Sequence, residues 1–295
     1  MDYRIGKKMK ELRTYLHLTQ GELAKGICTQ AMVSKMEKGN DVYPSAQLLY
    51  QISQRLGVSI EYFFSDDDLP HISYVNDVCD QLTELIRSKQ FEEAYEIVKF
   101  EKKNPTFSNK PHLKRFLLWR EAICVNYLHG EKDEAVRLLD EALTYAETSV
   151  KNYSLEELDI LTSKAIILGE MEGWQRADEL YTEILKYVKK IPWQKDKSTI
   201  LNIYYNASRT AYKLGNYERA LHLAEEGIKV CKKEKTLYLM GYLYYQMAES
   251  QYAIDQALTE QADVIYTKAL MAFQQLDDER NYELVKKRVV FLKEE

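Results

Sequence analysis

GNYERALHLA, residues 215–224, has near copies at four other places in the 295-residue chain. KQFEEAYEIV (89–98), GEKDEAVRLL (130–139) and EGWQRADELY (172–181) keep an alanine at the same sixth place, and LTEQADVIYT (258–267) keeps one at its fifth. Those alanines are Ala94, Ala135, Ala177, Ala220 and Ala262, separated by 41, 42, 43 and 42 residues. A period of this size, held over most of the chain, describes a helical solenoid in which each helix pair buries its apolar face only by stacking on its neighbours. Gly130, Gly173 and Gly215 fall where one helix of a pair must turn into the next. The small alanines let the paired helices approach closely.

Composition agrees with an all-α chain. Apolar residues make up 45% and charged ones 29%, ordinary for a folded protein, while 11 Gly and 5 Pro are few and leave room for long helices. Apolar residues recur at three and four positions far more often than they alternate. The length suits a small domain followed by an extended array. The start, MDYRIGKKMKEL, is charged, and no run approaches the roughly 18 apolar residues of a membrane span. We therefore expect a cytoplasmic protein with no membrane partner.

Catalysis is not signalled. Cys28, Cys79, Cys124 and Cys231 are scattered, with no CxxC and no histidine at ligand spacing, so neither zinc nor a disulfide frame is expected. His17, His71, His112, His129 and His222 are dispersed, and no nucleophile elbow, phosphate-binding loop or metal pair is present. The expectation is no catalytic residue, no metal and no cofactor.

The net charge of −5 is unevenly distributed. Residues 1–38 carry eight Lys or Arg against four acids, leaving an acidic body behind a basic head. Within the head, Ile5, Met9, Leu12 and Leu16 form an apolar stripe at helical spacing. Thr19 and Glu22 make a capping box for a second short helix with Leu23, Ala24 and Ile27 inward, closed by Gly26. Thr29 can cap a third helix that turns Val33 and Met36 inward and Gln30, Ala31, Ser34, Lys35 and Lys38 outward. Such a helix suits the DNA major groove, with glutamine pairing to adenine and lysine to guanine or phosphate. Gln20, at the start of the second helix, would lie near the backbone, where exposed N–H groups favour a phosphate. The candidate DNA-binding set is thus Gln20, Thr29, Gln30, Ala31, Ser34, Lys35 and Lys38. Pro44 and Ser45 open a fourth helix ended by Gly57, and residues 58–64 form an aromatic-rich fifth element.

LTQGELA (18–24), VSKMEKG (33–39) and YPSAQLLYQISQRLGV (43–58) resemble the five-helix DNA-binding domain of the phage-repressor type. The domain plan is then a helix-turn-helix domain over 1–64, an acidic linker over 65–73, and a repeat domain over 74–295 with five degenerate units. The repeats resemble tetratricopeptide repeats, with a period longer than that family's ~34 residues.

Candidate first helices of the pairs are 114–128, 155–169, 198–214 and 236–253. They carry Asn202, Asn206 and Gln246 together with Tyr204, Tyr205, Tyr242, Tyr244 and Tyr245, amides and amphipathic rings suited to holding an extended peptide. Taken singly, most of these tyrosines are expected to pack between helices with the hydroxyl at the surface.

Head and repeats together resemble the Gram-positive family of peptide-responsive quorum-sensing transcription regulators. ICTQAMVSKMEKG (27–39), VYPSAQLL (42–49), RFLLWREA (115–122), ELYTEIL (179–185), YYNASRTAY (204–212) and GYLYYQMAE (241–249) carry the likeness. The resemblance implies a homodimer on a palindromic double-stranded DNA operator, controlled, as an activator, by a short signalling peptide in the groove of the repeats. By motif position it implies peptide contacts at Asn206, Tyr242, Gln246 and Tyr282, and a carboxylate site at Arg87 and Lys89. It departs in LTSKAIIL (161–168), where Ser163 and Lys164 stand in place of an expected asparagine. With Ser163 and Asn202 the peptide-binding set is complete. The alternative is a regulator whose repeats bind a protein partner in place of a small peptide.

Overall fold

The computed structural model describes residues 5–39, 43–64, 69–145, 153–171, 173–188 and 197–294. Among them every regular element is helical. The chain divides into two compact units, Met1–Gln81 and Leu82–Glu295.

The first unit opens with α1 (Ile5–Tyr15), α2 (Gln20–Ala24), α3 (Gln30–Glu37) and α4 (Ala46–Leu56), followed by a 3-10 turn, Ile60–Phe64. The caps read from the sequence are in place. Thr19 and Glu22 exchange both capping-box bonds, and Thr29 and Ser45 accept from the Met32 and Leu48 amides. Met9, Leu12, Leu23, Val33, Met36, Leu49, Ile52, Leu56 and Phe63 close over one core. Removing that much apolar surface from water, at roughly 25 cal/mol per Å2, outweighs the weak propensity of a five-residue helix such as α2. Gly6 lets α1 and α3 meet backbone to backbone, since a Cβ there would lie 1.8 Å from the Met36 carbonyl oxygen.

One expectation for this unit is corrected. Leu16 does not continue the α1 stripe. The helix ends at Tyr15, His17 takes φ 56°, and Leu16 is left 40% exposed. The basic head also turns cations inward: Lys8 is buried and donates to the Tyr62 carbonyl at 3.0 Å, and Arg13 is held by Glu37.

α5 (Leu69–Arg87) runs from the first unit into the second. Of the expected linker, 65–68 lies outside the described residues and 69–73 is helical. Next come α6 (Phe91–Glu101), α7 (Pro105–Ser108), α8 (Pro111–His129), α9 (Lys132–Thr144), α10 (Leu155–Glu170), α11 (Trp174–Val188), α12 (Ser198–Lys213), α13 (Tyr217–Glu234), α14 (Met240–Asp255), α15 (Glu260–Gln275) and α16 (Glu279–Glu294). From α8 on, each helix packs on the next, and successive first helices also touch, α8 with α10, α10 with α12 and α12 with α14.

All five phase-marking alanines are on second helices, α6, α9, α11, α13 and α15, and all have 0% exposure. The repeat is thus a packing register: one small, fully buried side chain recurs on the second helix of each pair. Gly130 and Gly215 reverse the chain at φ 68° and 76°, a left-handed conformation open to glycine at little cost. The α14 start is also corrected. The chain leaves α13 through Lys235 in the left-handed region, the Cys231 thiol donates to the Tyr238 carbonyl, and helix resumes at Met240, four residues after the expected Thr236.

At the far end Arg288 on α16 grips Glu249 on α14 through Nε at 2.9 Å and Nη2 at 3.1 Å, with the Tyr266 hydroxyl donating to the same carboxylate at 2.7 Å. No helix among the described residues is long and apolar enough to cross a membrane. Cys28, Cys79, Cys124 and Cys231 are all free thiols.

Candidate functional site

In the first unit, Val33 and Met36 anchor α3, and its other side is open. Thr29, Gln30, Ala31, Lys35 and Lys38 are exposed, and Ser34 and Gln20 half-buried. Gln20 and Gln30 are tied together. Gln30 Nε2 donates to Gln20 Oε1 at 2.9 Å, and Gln20 Nε2 donates to Glu37 Oε2 at 2.8 Å. Glu37 is itself clamped by Arg13, Nε to Oε1 at 2.6 Å and Nη2 to Oε2 at 3.0 Å, with side chains only 13% and 2% exposed. Arg13 also donates to the Leu18 carbonyl, pinning the turn before α2.

A nearly dry bidentate pair thus fixes one end of a chain of amides, and the other end, the Gln30 carboxamide oxygen, faces out. Sequence reasoning found Gln20 and Gln30 but missed Arg13 and Glu37. No helical spacing relates residues 24 apart, and only folding brings them into contact.

In the second unit the expected peptide residues fall into two groups. Arg87, Lys89 and Ser163 line one pocket of about 490 Å3 together with Ile86, Phe91, Ile123, Tyr127, Ile166 and Ile167. Ser163 accepts from the Trp119 indole at 2.9 Å and donates to the Asp159 carbonyl at 2.9 Å, so α8 and α10 are bonded at the pocket wall. Tyr127 stacks on Phe91, with ring centroids 4.7 Å apart. Its hydroxyl is held above its usual pKa, first by burial and then by the nearby Glu170 carboxylate.

Asn202, Asn206, Tyr242, Gln246 and Tyr282 do not line that pocket. Asn206 Nδ2 donates to the Asn202 carbonyl at 2.9 Å, and Asn202 Oδ1 accepts from the Tyr238 hydroxyl at 3.2 Å. Tyr242 packs edge-on against Tyr205 and Phe273, and its hydroxyl accepts from Asn281 at 2.8 Å. Gln246 is 8% exposed, and its amide nitrogen makes no hydrogen bond. Tyr282 is partly buried against the last core cluster, with the Lys286 ammonium 5.8 Å from its ring centre.

The apolar pocket lining had a readable signal that was passed over. Ile123 and Tyr127 are four apart on α8, and Ser163, Ile166 and Ile167 share a face of α10.

Two family models divide the sequence between them. The RNPP family C-terminal domain matches residues 79–293, and the helix-turn-helix model matches residues 9–63. The chain belongs to the RNPP family. Among solved structures, this RNPP protein is similar to Bacillus thuringiensis PlcR in complex with the peptide PapR7 and DNA. The two are 25% identical over 96% of this chain and 98% of that one, with a TM-score of 0.78. ComR from S. thermophilus, in complex with DNA and its signalling peptide ComS, shares the fold at 16% identity and a TM-score of 0.59, over 96% of this chain and 97% of that one. An uncharacterized transcriptional regulator in the ATPase CF(0) region of Rhodospirillum rubrum is 40% identical over 68 residues, 22% of this chain, so the match spans 61% of that relative.

Proposed function

We propose that this RNPP-family protein is a cytoplasmic, dimeric, sequence-specific DNA-binding transcription regulator, acting as an activator and controlled by a short signalling peptide bound in its repeats. Residues 1–64 bind DNA, 65–73 link, and 74–295 sense the peptide. The observation that carries the reading is the coexistence of two surfaces in one chain. One is the exposed amide and ammonium face of α3; the other is an apolar pocket whose charged lining is wholly cationic. The solved complexes of PlcR and ComR, which hold both DNA and a peptide, support the same pairing.

At the DNA end, α3 enters the major groove. Gln30 reads a base edge while Gln20 holds it in place and faces the backbone; Lys35 and Lys38 contribute guanine or phosphate contacts beside Thr29, Ala31 and Ser34. One helix reads too few base pairs, so two copies bind half-sites spaced by a helical turn or a multiple of it, on a palindromic operator. At the peptide end, Arg87 and Lys89 take a carboxylate, and Ser163, Asn202, Asn206, Tyr242, Gln246 and Tyr282 contact the extended chain. Gln246 supports this role because its buried N–H lacks an acceptor, which an incoming peptide carbonyl supplies. Control requires the peptide to bind the DNA-competent arrangement better than the alternative, since equal affinity shifts nothing.

Footprinting of the purified full-length protein on genomic DNA, with and without culture-supernatant peptides, tests the proposal. Protection that appears or moves with peptide supports it, and identical footprints reject peptide control. Asn206→Ala should abolish the response while leaving the dimer intact.

A further inference from the structure

One side chain holds the turn between α2 and α3 from outside. Arg55, near the end of α4, donates through Nη1 to the Glu22 carbonyl at 2.8 Å and through Nη2 to the Lys25 carbonyl at 3.0 Å. Both acceptors belong to the carboxyl-terminal turn of α2 and its cap. A helix end leaves carbonyls without an internal donor, and backbone amides meet part of this need. The Lys25 amide donates to the Gly21 carbonyl at 3.0 Å, and the Ile27 and Cys28 amides share the Ala24 carbonyl, both at 2.9 Å. The Glu22 and Lys25 carbonyls take their bonds from Arg55 instead. A rigid guanidinium fork can serve two carbonyls at once, and its charge suits the carboxyl end of a helix.

Setting the angle of a rod takes two fixed points. α3 packs on α1 and α2, and α2 packs on α4. Val33 and Met36 seat α3 in the core, but apolar contact has no direction and lets a short helix rock on its seat. At the far end of α3, Glu37 is gripped by Arg13 from α1. At the near end, the chain enters α3 through the Thr29 cap, just after the turn that Arg55 ties to α4. Arg55 works at the opposite end of α2 from Gln20, about 7 Å away along a helix of five residues.

We propose that Arg55 is a positioning residue for DNA recognition. Its fork fixes the α2–α3 turn to α4, so that Gln30 and its neighbours meet the base edges at one set angle, while the guanidinium itself touches neither phosphate nor base. The inference rests on the reading of α3 as the DNA-reading helix and adds what sets its angle. With the turn loosened, Lys35 and Lys38 still reach phosphates, because attraction between charges falls off slowly with distance. Paired hydrogen bonds to a base edge do not survive the same displacement. Loss of Arg55 therefore lowers affinity for the right sequence and spares affinity for any sequence.

Fluorescence anisotropy of the full-length protein tests this, with culture-supernatant peptides present throughout. The probes are a duplex selected on the parent protein from a random-sequence library and a scrambled duplex of the same length. Arg55→Ala should weaken binding to the selected duplex at least about fivefold and change binding to the scrambled one by less than about twofold, with the salt slope unchanged on both. Arg55→Lys keeps the charge but replaces the fork by a single ammonium, so it should recover only part of the loss. Unchanged binding to the selected duplex overturns the proposal. So does equal weakening on both duplexes or a salt slope lower by about one, which marks a phosphate contact. Full recovery in Arg55→Lys overturns it too, since charge alone would then suffice.

Amide hydrogen exchange adds a reading that needs no DNA. Ile27 and Cys28 should exchange at least about fivefold faster in Arg55→Ala, and unchanged exchange at both overturns the clamp. If these amides loosen while the parent protein selects no sequence from the library, the clamp on the turn stands and the DNA reading falls. If the parent protein selects a sequence that Arg55→Ala binds as tightly, the DNA reading stands and the positioning role falls.

Discussion

Gln30 donates from Nε2 to Gln20 Oε1 at 2.9 Å, although the two side chains start on different helices. A glutamine amide is free to flip in water, and this bond decides which way the Gln30 amide points. Its carboxamide oxygen and second N–H are left outward as an acceptor and donor pair, the pattern that matches adenine.

Truncating either residue to alanine should therefore weaken operator binding by about 1–3 kcal/mol, and the double variant by clearly less than the sum. Fluorescence anisotropy on an operator duplex at fixed salt measures the cycle. Additive losses would mean that the two amides act separately. Lys35→Ala should instead reduce the salt slope by about one while leaving base preference alone.

Glu37 holds that arrangement from behind. With Glu37→Ala, the nearly buried Arg13 loses its partner and Gln20 loses the acceptor for its amide. Breaking such a pair costs about 3 kcal/mol, so local unfolding of the first unit should become easier by about that amount. Amide hydrogen exchange of α1 and α3 measures it. Protection equal to that of the parent chain would show that Arg13 finds another partner.

The capping box at α2 predicts an acid limb. Bonds from the Thr19 backbone amide, and then from its hydroxyl, hold the Glu22 carboxylate below its ordinary pKa. A carboxylate with a depressed folded pKa contributes stability above its unfolded value, near 4.3, and loses it as pH falls through the folded value. Glu22→Gln should flatten the loss of stability below about pH 4 without steepening any change at neutral pH. Denaturant titrations across the acid range test this, and an unchanged acid limb would refute it.

Burial sets the thiol chemistry. Cys124 is pushed up to about 12 and Cys231 to about 11, in both cases chiefly by desolvation. Neither should react with iodoacetamide at about pH 8 in the folded protein, and both should react after denaturation. Mass spectrometry of labelled peptides is the readout; native labelling of Cys124 would show that α8 opens readily.

The alanine register was legible because each repeat solves one packing problem in the same way, and five solutions at one spacing stand out against varied surroundings. The caps of α2, α3 and α4 were legible because capping is local chemistry, written within four residues. Leu16 misled because a stripe says which residues share a face while the helix lasts, and the left-handed His17 ends it one residue early. The late start of α14 escaped for a like reason: the run between Lys235 and Met240 wraps back on α13 through Cys231, a contact with no periodic trace. At the sites, single side chains such as Gln30 and Lys89 could be named, but the grouping could not. That Ser163 shares a pocket with Arg87 and Lys89 while Asn206 lies elsewhere depends on how four helices converge.

The grip of Arg288 on Glu249 gives the stack a direction. A linear array loses order from its ends, each terminal rod held by one neighbour alone. Here the final rod is fastened across its neighbour to the one before by two guanidinium bonds, and the neighbour adds a third to the same carboxylate, so this terminus resists peeling.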